Sequence, residues 1–160
     1  MAKTQSTKGW LTPKAFSSAE LLVVLIILTT LAFIAVPKLQ FATIRRQKAD
    51  TVARKVSTDL QLTRRLAITN AAINTDGYEL NMTGGAPYSG YQIVNRDTSE
   101  VVDTYSIDSQ ISCTGGSSFE FGPLGNLLTG SDTQVIVSAE GKTFTITVTS
   151  ATGMVKCTSN

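Results

Sequence analysis

Apolar and polar positions follow four regimes along the chain. Residues 1–15 (MAKTQSTKGWLTPKA) are polar and basic, with no apolar run. Residues 21–36 (LLVVLIILTTLAFIAV) carry no charge at all. From Phe16 to Val36 is 21 residues, a helix of about 31 Å at 1.5 Å per residue, which matches a bilayer's hydrocarbon core. Past Pro37 the apolar positions thin to a stripe: Ala49, Val52, Ala53, Val56, Leu60 and Ala67 recur at steps of three and four, with Thr63 filling the gap. Arg45, Arg46, Lys48, Arg54, Lys55, Arg64 and Arg65 lie mostly off that stripe and read as a solvated face. Pro37 removes one backbone donor and is expected to kink the helix, since the apolar pattern continues on both sides. The pattern predicts one long helix over about residues 17–73, ending in the turn-forming cluster Asn74-Thr75-Asp76-Gly77.

The period then changes to two. Tyr78–Met82, Tyr91–Val94, Val101–Ile107, Gln134–Val137 and Lys142–Thr149 read as strands, with Glu140-Gly141 as a hairpin turn between the last two. Phe144, Ile146 and Val148 share one face of the final strand, opposite Lys142 and threonines, as in a half-buried antiparallel strand. The fold class expected is therefore α+β: a long N-terminal helix, its first half transmembrane and its second half amphipathic, packed on an antiparallel β-sheet. The expected organisation is a leader over 1–15, a hydrophobic transmembrane or polymerisation helix over 16–38, and a globular domain over 39–160.

Charge sharpens this division. The formal charge is +2, yet Lys3, Lys8 and Lys14 all precede the apolar run. Without residues 1–15 the chain keeps 11 of its 14 basic side chains against 12 acidic ones, a net charge of −1. That argues against a general nucleic-acid-binding surface. Lysines ahead of the apolar run predict a cytoplasmic N-terminus and an exported C-terminal part. A secretory signal would be cut after the apolar core, but the small-residue sites there are poor: Phe33 sits three back from a cut after Ala35, and Pro37 would follow a cut after Val36. A plain signal anchor explains length and charge but not Glu20, a carboxylate in the first turns of the apolar helix. An acid at such a depth is a functional candidate.

The chain has no histidine, which removes the commonest general base and metal ligand. Ser138 and Asp103 have no catalytic signature around them, so no catalytic residue, metal or cofactor is expected and the chain reads as a non-enzyme. Asp97, Glu100, Asp103 and Asp108 offer oxygen ligands, but their spacing fits no calcium loop, and they read as a solvated acidic loop. Gly84-Gly85 and Gly115-Gly116 lack the flanking strand, helix and Lys of a phosphate loop and read as turns. The two cysteines, Cys113 and Cys157, are too far apart in sequence for a metal pair. Outside the cytoplasm they read as one disulfide closing a long loop, worth roughly 3–4 kcal/mol; the alternative is two unpaired buried thiols.

The stretch Ala15-Phe16-Ser17-Ser18-Ala19-Glu20-Leu21-Leu22-Val23-Val24-Leu25 through Pro37 resembles the prepilin N-terminal motif of type IV pilins and type II secretion pseudopilins. That motif has a small residue before the cut, Phe first, Glu fifth and often Pro twenty-second in the mature chain. Counting from Phe16, Glu20 and Pro37 take those places. The chain departs from the pattern in having Ala15 where Gly is usual and Ser17-Ser18-Ala19 where Thr-Leu-Ile is common. The segments Phe119-Glu120-Phe121-Gly122-Pro123-Leu124-Gly125, Phe144–Lys156 and Leu60–Ile68 resemble the soluble domain of GspH/FimT-type minor pilins. The resemblance implies a pilin fold and cleavage between Ala15 and Phe16 by a prepilin peptidase, followed by N-methylation of Phe16. It also implies assembly through Glu20, whose carboxylate would neutralise a neighbouring subunit's N-terminal amine, and through Pro37. The implied partners are other pilins or pseudopilins, an inner-membrane assembly platform and membrane lipid before assembly. The implied location is a bacterial inner membrane, single-pass with a periplasmic C-terminal domain, and then a filament. The function implied is that of a minor pseudopilin of a type II secretion filament; the alternative is a minor type IV pilin serving adhesion, motility or DNA uptake. DNA-binding members of the second group end in Gly-Arg-x-Arg, where this chain has Gly153-Met154-Val155-Lys156, so loss of both arginines removes the best bidentate phosphate contacts.

Overall fold

The computed structural model describes residues 17–160, with residues 34–40 described by backbone alone. Helical backbone covers Ser18–Thr69 (α1). The chain divides into two compact units, Met1–Leu39 and Gln40–Asn160, and the described side chains of α1 accordingly form two shorter helical segments, 18–33 and 41–69.

This corrects the expected fold class. Instead of one long N-terminal helix packed on a sheet, only segment 41–69 belongs to the unit that carries the strands. Among the described residues no helix is long and apolar enough to cross a membrane. The transmembrane first half expected over 16–38 is therefore not supported. A single-pass inner-membrane placement with a cytoplasmic N-terminus and a periplasmic domain loses its basis with it. The leader, residues 1–15, lies outside the described residues.

In the second unit the helical stripe is buried as its spacing requires. Ala49, Val52, Ala53, Val56, Leu60, Thr63 and Ala67 are all at most 4% exposed. They share one core with residues from eight strands: β1 (Tyr78–Thr83), β2 (Gly90–Asn95), β3 (Val101–Ser106), β4 (Ser112–Gly115), β5 (Ser118–Phe121), β6 (Gln134–Ala139), β7 (Lys142–Thr149) and β8 (Met154–Ser159). All pairings are antiparallel. The strands form two sheets, β3-β2-β1-β5 and β4-β6-β7-β8, where a single sheet was expected.

The chain enters the second sheet at β4 and crosses back to the first at Gly115-Gly116. Gly115 has φ +110°, and a Cβ on Gly116 would lie 2.3 Å from the Asp132 side chain, so neither position accepts a larger residue without a shift. The Asp132 carboxylate accepts the amides of Ser117 and Ser118, at 2.6 and 3.2 Å, and fixes the crossing. Alternation supplies the core on both sheets: Tyr78, Leu80 and Met82 on β1, Val135 and Val137 on β6, Phe144, Ile146 and Val148 on β7. The β6–β7 hairpin turns at Glu140-Gly141, with φ of +49° and +76°, the left-handed pair of a type I′ turn. Helix 41–69 ends at Thr69, earlier than expected. Asn74 then closes the link to β1: its amide donates to the Gly77 carbonyl at 3.0 Å, and its side-chain oxygen accepts the Gly77 N–H at 2.7 Å.

Most of the basic residues on the helix are tethered rather than merely solvated. Arg45 pairs with Glu140, Arg46 donates to the Glu140 carbonyl, Lys48 pairs with Asp108 at 2.7 Å, and Arg64 donates to the Gly125 carbonyl at 3.0 Å. Exposed pairs of this kind contribute up to about 1 kcal/mol each, so they orient the helix more than they stabilise it. The Lys48 ammonium, then the Gln110 amide, hold the Asp108 carboxyl below its usual range.

Candidate functional site

Residues proposed for assembly fall in the first unit. Ala15 and Phe16 lie outside the described residues, as does the side chain of Pro37. Glu20 stands in the first turn of α1, exposed. The Ser17 hydroxyl accepts the Ala19 N–H at 3.4 Å, and the Leu21 N–H bonds to the Ser17 carbonyl at 3.1 Å. Ser17 is thus the N-cap and Glu20 the third helical residue, the spacing of a capping box. A carboxylate there is favoured by the positive end of the helix dipole. Ser17-Ser18-Ala19, which departs from the prepilin pattern, therefore gives Glu20 a local role in starting the helix as well as a place at its tip.

Beyond Glu20, segment 18–33 presents an apolar surface on every side: Leu21, Leu22, Leu25, Ile27, Leu28 and Leu31 are 51–64% exposed, and Phe33 is 85% exposed. Its only hydroxyls are turned inward on the helix. Thr29 donates to the Leu25 and Ile26 carbonyls and Thr30 to that of Ile27, at 2.9–3.0 Å. Their polarity is spent on their own backbone.

The expected disulfide is corrected by the strand order. Cys113 lies on β4 opposite Val137 of β6, and Cys157 lies on β8 opposite Ile146 of β7. The two cysteines thus occupy opposite edges of a four-stranded sheet. Three inter-strand steps of about 4.8 Å separate them by roughly 14 Å, beyond the ~7 Å a disulfide spans. Both are free; Cys113 is buried and Cys157 exposed. Burial pushes the Cys113 thiol up to about 11, so it is protonated and shielded at neutral pH. The folded chain is therefore expected to take up one equivalent of maleimide, at Cys157, and a second only after denaturation. Two equivalents in the native state, or none, would contradict these positions.

In the second unit the notable polar constellation was not anticipated. Asp59 is 2% exposed, with its carboxylate accepting the Tyr91 hydroxyl at 2.7 Å and the Lys55 ammonium at 2.8 Å. Its backbone carbonyl accepts the buried Thr63 hydroxyl at 2.7 Å. Tyr91 stacks on Tyr105 with ring centroids 5.3 Å apart, and the Lys55 ammonium lies 5.8 Å over the Tyr105 ring. Burial, then the Asp59 bond, raises the Tyr91 phenol well above its usual range. The hydrogen bond to Asp59 raises Lys55 as well. The signal was present in the spacing, because Asp59 follows Val56 by three and precedes Thr63 by four, on the buried stripe.

This cluster is saturated: all three Asp59 oxygens have a donor, and among the described residues no buried side-chain polar atom lacks a partner; it packs the helix against β2 and β3. Alongside it a cleft of about 370 Å³ runs between Gln47 and Thr51 of the helix and Tyr105, Asp108 and Ile111. Ser106 and Lys48 line it as well, and the Lys48 ammonium is engaged by Asp108 at 2.7 Å. Among the described residues no group of three His, Cys, Asp or Glu gathers as metal ligands; Asp108 is engaged by Lys48, and the Asp103 carboxylate accepts the Thr104 amide at 2.8 Å. The Gly153 segment is a packing contact. A Cβ on Gly153 would lie 1.9 Å from the Gly125 carbonyl that Arg64 also binds. Comparison of the chain with protein-family models, with curated proteins and with solved structures finds no match in any of the three.

Proposed function

We propose that this chain is a non-enzymatic structural subunit of a prepilin-type filament, a minor pseudopilin of a type II secretion system. The observation that carries the reading is the first helical segment: an apolar surface exposed all round from Leu21 to Phe33, headed by a single acid at Glu20. Contiguous apolar surface on this scale marks an interaction site. A second apolar helix is the partner that such a surface accommodates without leaving backbone groups unpaired. Within such a contact of low dielectric, an unpaired carboxylate costs several kcal/mol. Glu20 therefore selects a register that brings a positive group to it, and the N-terminal amine of a neighbouring subunit has the right charge and location. The second unit, with a saturated polar cluster and a packed core, suits a rigid body carried by that helix. Its partners are a prepilin peptidase and other pilins or pseudopilins.

The test is the intact mass of the protein recovered from cells with an active prepilin peptidase. A chain starting at methylated Phe16 is expected; a chain retaining residues 1–15 would overturn the reading. In the same cells Glu20→Ala is expected to accumulate as folded subunit and to be lost from isolated filaments. Wild-type recovery of that variant in filaments would remove the role given to Glu20.

A further inference from the structure

The two sheets leave two open edges, and these edges are complementary. In the first sheet β5 is covered by residues 127–132, whose Leu128 and Asp132 amides bond to Glu120 and Ser118. In the second, the Tyr88 amide bonds to the Cys113 carbonyl on β4. That leaves β3 and β8, each six residues long, as outer strands. Bonding alternates along an antiparallel pair. The Ile107 amide bonds inward to Ser89, which turns the backbone groups of Thr104 and Ser106 outward; past Asp103 a register shift leaves Val102 without a partner on β2. On β8, Asn160 and Thr143 bond to each other, which turns those of Val155, Cys157 and Ser159 outward. Among the described residues these outward groups have no backbone partner, the Thr104 amide being held only by the adjacent Asp103 carboxylate.

Charge decides how such edges pair. Val101, Val102, Asp103 and Thr104 are exposed on β3, with Asp97 and Glu100 just ahead of it. Met154, Lys156 and Cys157 are exposed on β8, with Lys142 at the same end of the sheet as Ser159. Among the described residues none of Asp97, Glu100, Asp103, Lys142 and Lys156 has an ion-pair partner. Two β3 edges set acids against acids, and two β8 edges set lysines against lysines; like charges on an edge oppose pairing. Only β3 against β8 is attractive.

We propose that the chain associates with copies of itself head to tail, β3 of one copy pairing antiparallel with β8 of the next, Asp103 opposite Lys156. In this register Thr104 faces Val155 as a hydrogen-bonded pair, using outward groups of both strands, and Val102, at the register shift of β3, lies opposite Cys157. Asp103 and Lys156 fall in the closer, non-bonded pair between them. Glu100 then lies beside Ser159, toward Lys142. The contact is heterologous, so each copy keeps one free β3 and one free β8, and the series extends unless the rotation between copies closes a ring. This contact stands on the strand edges alone and is independent of how the first helical segment assembles.

The test uses the full chain in mild detergent, with Val102→Cys introduced and mild oxidation applied. Opposed residues on antiparallel strands have Cα atoms about 4.5–5.5 Å apart, within disulfide reach. Expected is a reducible ladder of dimers, trimers and larger species whose linked peptides join residue 102 of one chain to Cys157 of another; Cys157→Ser should abolish it. Links only between two 102 positions or two Cys157 positions would overturn the proposal. So would a 102–157 yield no greater than that of a control carrying Leu124→Cys, an exposed site on neither outer strand. Adding Asp103→Lys is expected to cut the yield about fivefold, the worth of turning one cross-strand attraction into repulsion. Adding Lys156→Glu to that variant should restore it. An unchanged yield with Asp103→Lys would also overturn it.

Discussion

Asp59→Ala is expected to destabilise the second unit by about 3 kcal/mol, measured by urea denaturation of the full chain. The substitution leaves the buried Tyr91 hydroxyl without its acceptor, at about 1–3 kcal/mol, and opens a small cavity between the helix and β2. It also removes the counter-charge of Lys55, a smaller loss because Lys55 is partly exposed. Tyr91→Phe takes away the donor instead and leaves a buried carboxylate with one fewer hydrogen bond, at about 1.5–3 kcal/mol. The two substitutions share a bond, so the double variant should fall short of their sum by about 1 kcal/mol or more. The pH dependence separates this bond from packing. The folded-state phenol titrates above its unfolded value of about 10, so the stability it lends is full below that pH. As pH rises past it, the unfolded chain releases this proton and the folded chain keeps it, and stability falls. Tyr91→Phe should lose that part of the alkaline decline. A loss under about 0.5 kcal/mol for Asp59→Ala would mean that Asp59 is not engaged as described.

Gly77→Ala should be at least as damaging, about 3 kcal/mol or more. Gly77 has φ +81°, which costs an L-residue about 1–2 kcal/mol on its own. A Cβ there would also lie 2.0 Å from the Phe121 carbonyl oxygen. That oxygen is backbone of β5, paired directly with Tyr78 of β1, so it has no soft way to yield. Relief requires moving the start of β1, which breaks the paired Asn74–Gly77 hydrogen bonds and disturbs the buried Phe119 and Phe121. The expected signature is a lowered denaturation midpoint with little change in cooperativity. A contrast is Gly141→Ala, also at positive φ but with nothing within 4 Å of its Cβ, which should cost only the backbone share. Equal losses at the two sites would refute the steric part of the argument.

How much of the fold was legible from residues follows from how local each signal is. The buried helical stripe from Ala49 to Ala67 was, because its period of 3.6 is written in seven residues and each went inside. The strands over Tyr78–Met82 and Lys142–Thr149 were as well, since their alternation runs for several residues on one buried face. The strands at Ser112–Gly115, Ser118–Phe121 and Met154–Ser159 were not. Two are four residues long, and the third is an edge strand whose side chains are mostly exposed and so need no alternation. Missing them hid the second sheet and made a Cys113–Cys157 bridge look reasonable, because sequence distance says nothing of three intervening strand spacings.

Glu20, Asp59 and the open edges divide along the same line. Sequence by itself determined the exposed apolar segment headed by Glu20, and the composition that leaves this chain without a histidine base. Those are properties of residue type and near-neighbour spacing. Tertiary structure alone decided that Asp59 meets Tyr91, that the two cysteines stand at opposite sheet edges, and that an acidic β3 and a basic β8 are the strands left without neighbours. Each of these joins or separates residues some thirty or more positions apart. Such pairings are selected by the free energy of the whole packed core, in which every strand's place depends on which others are already taken.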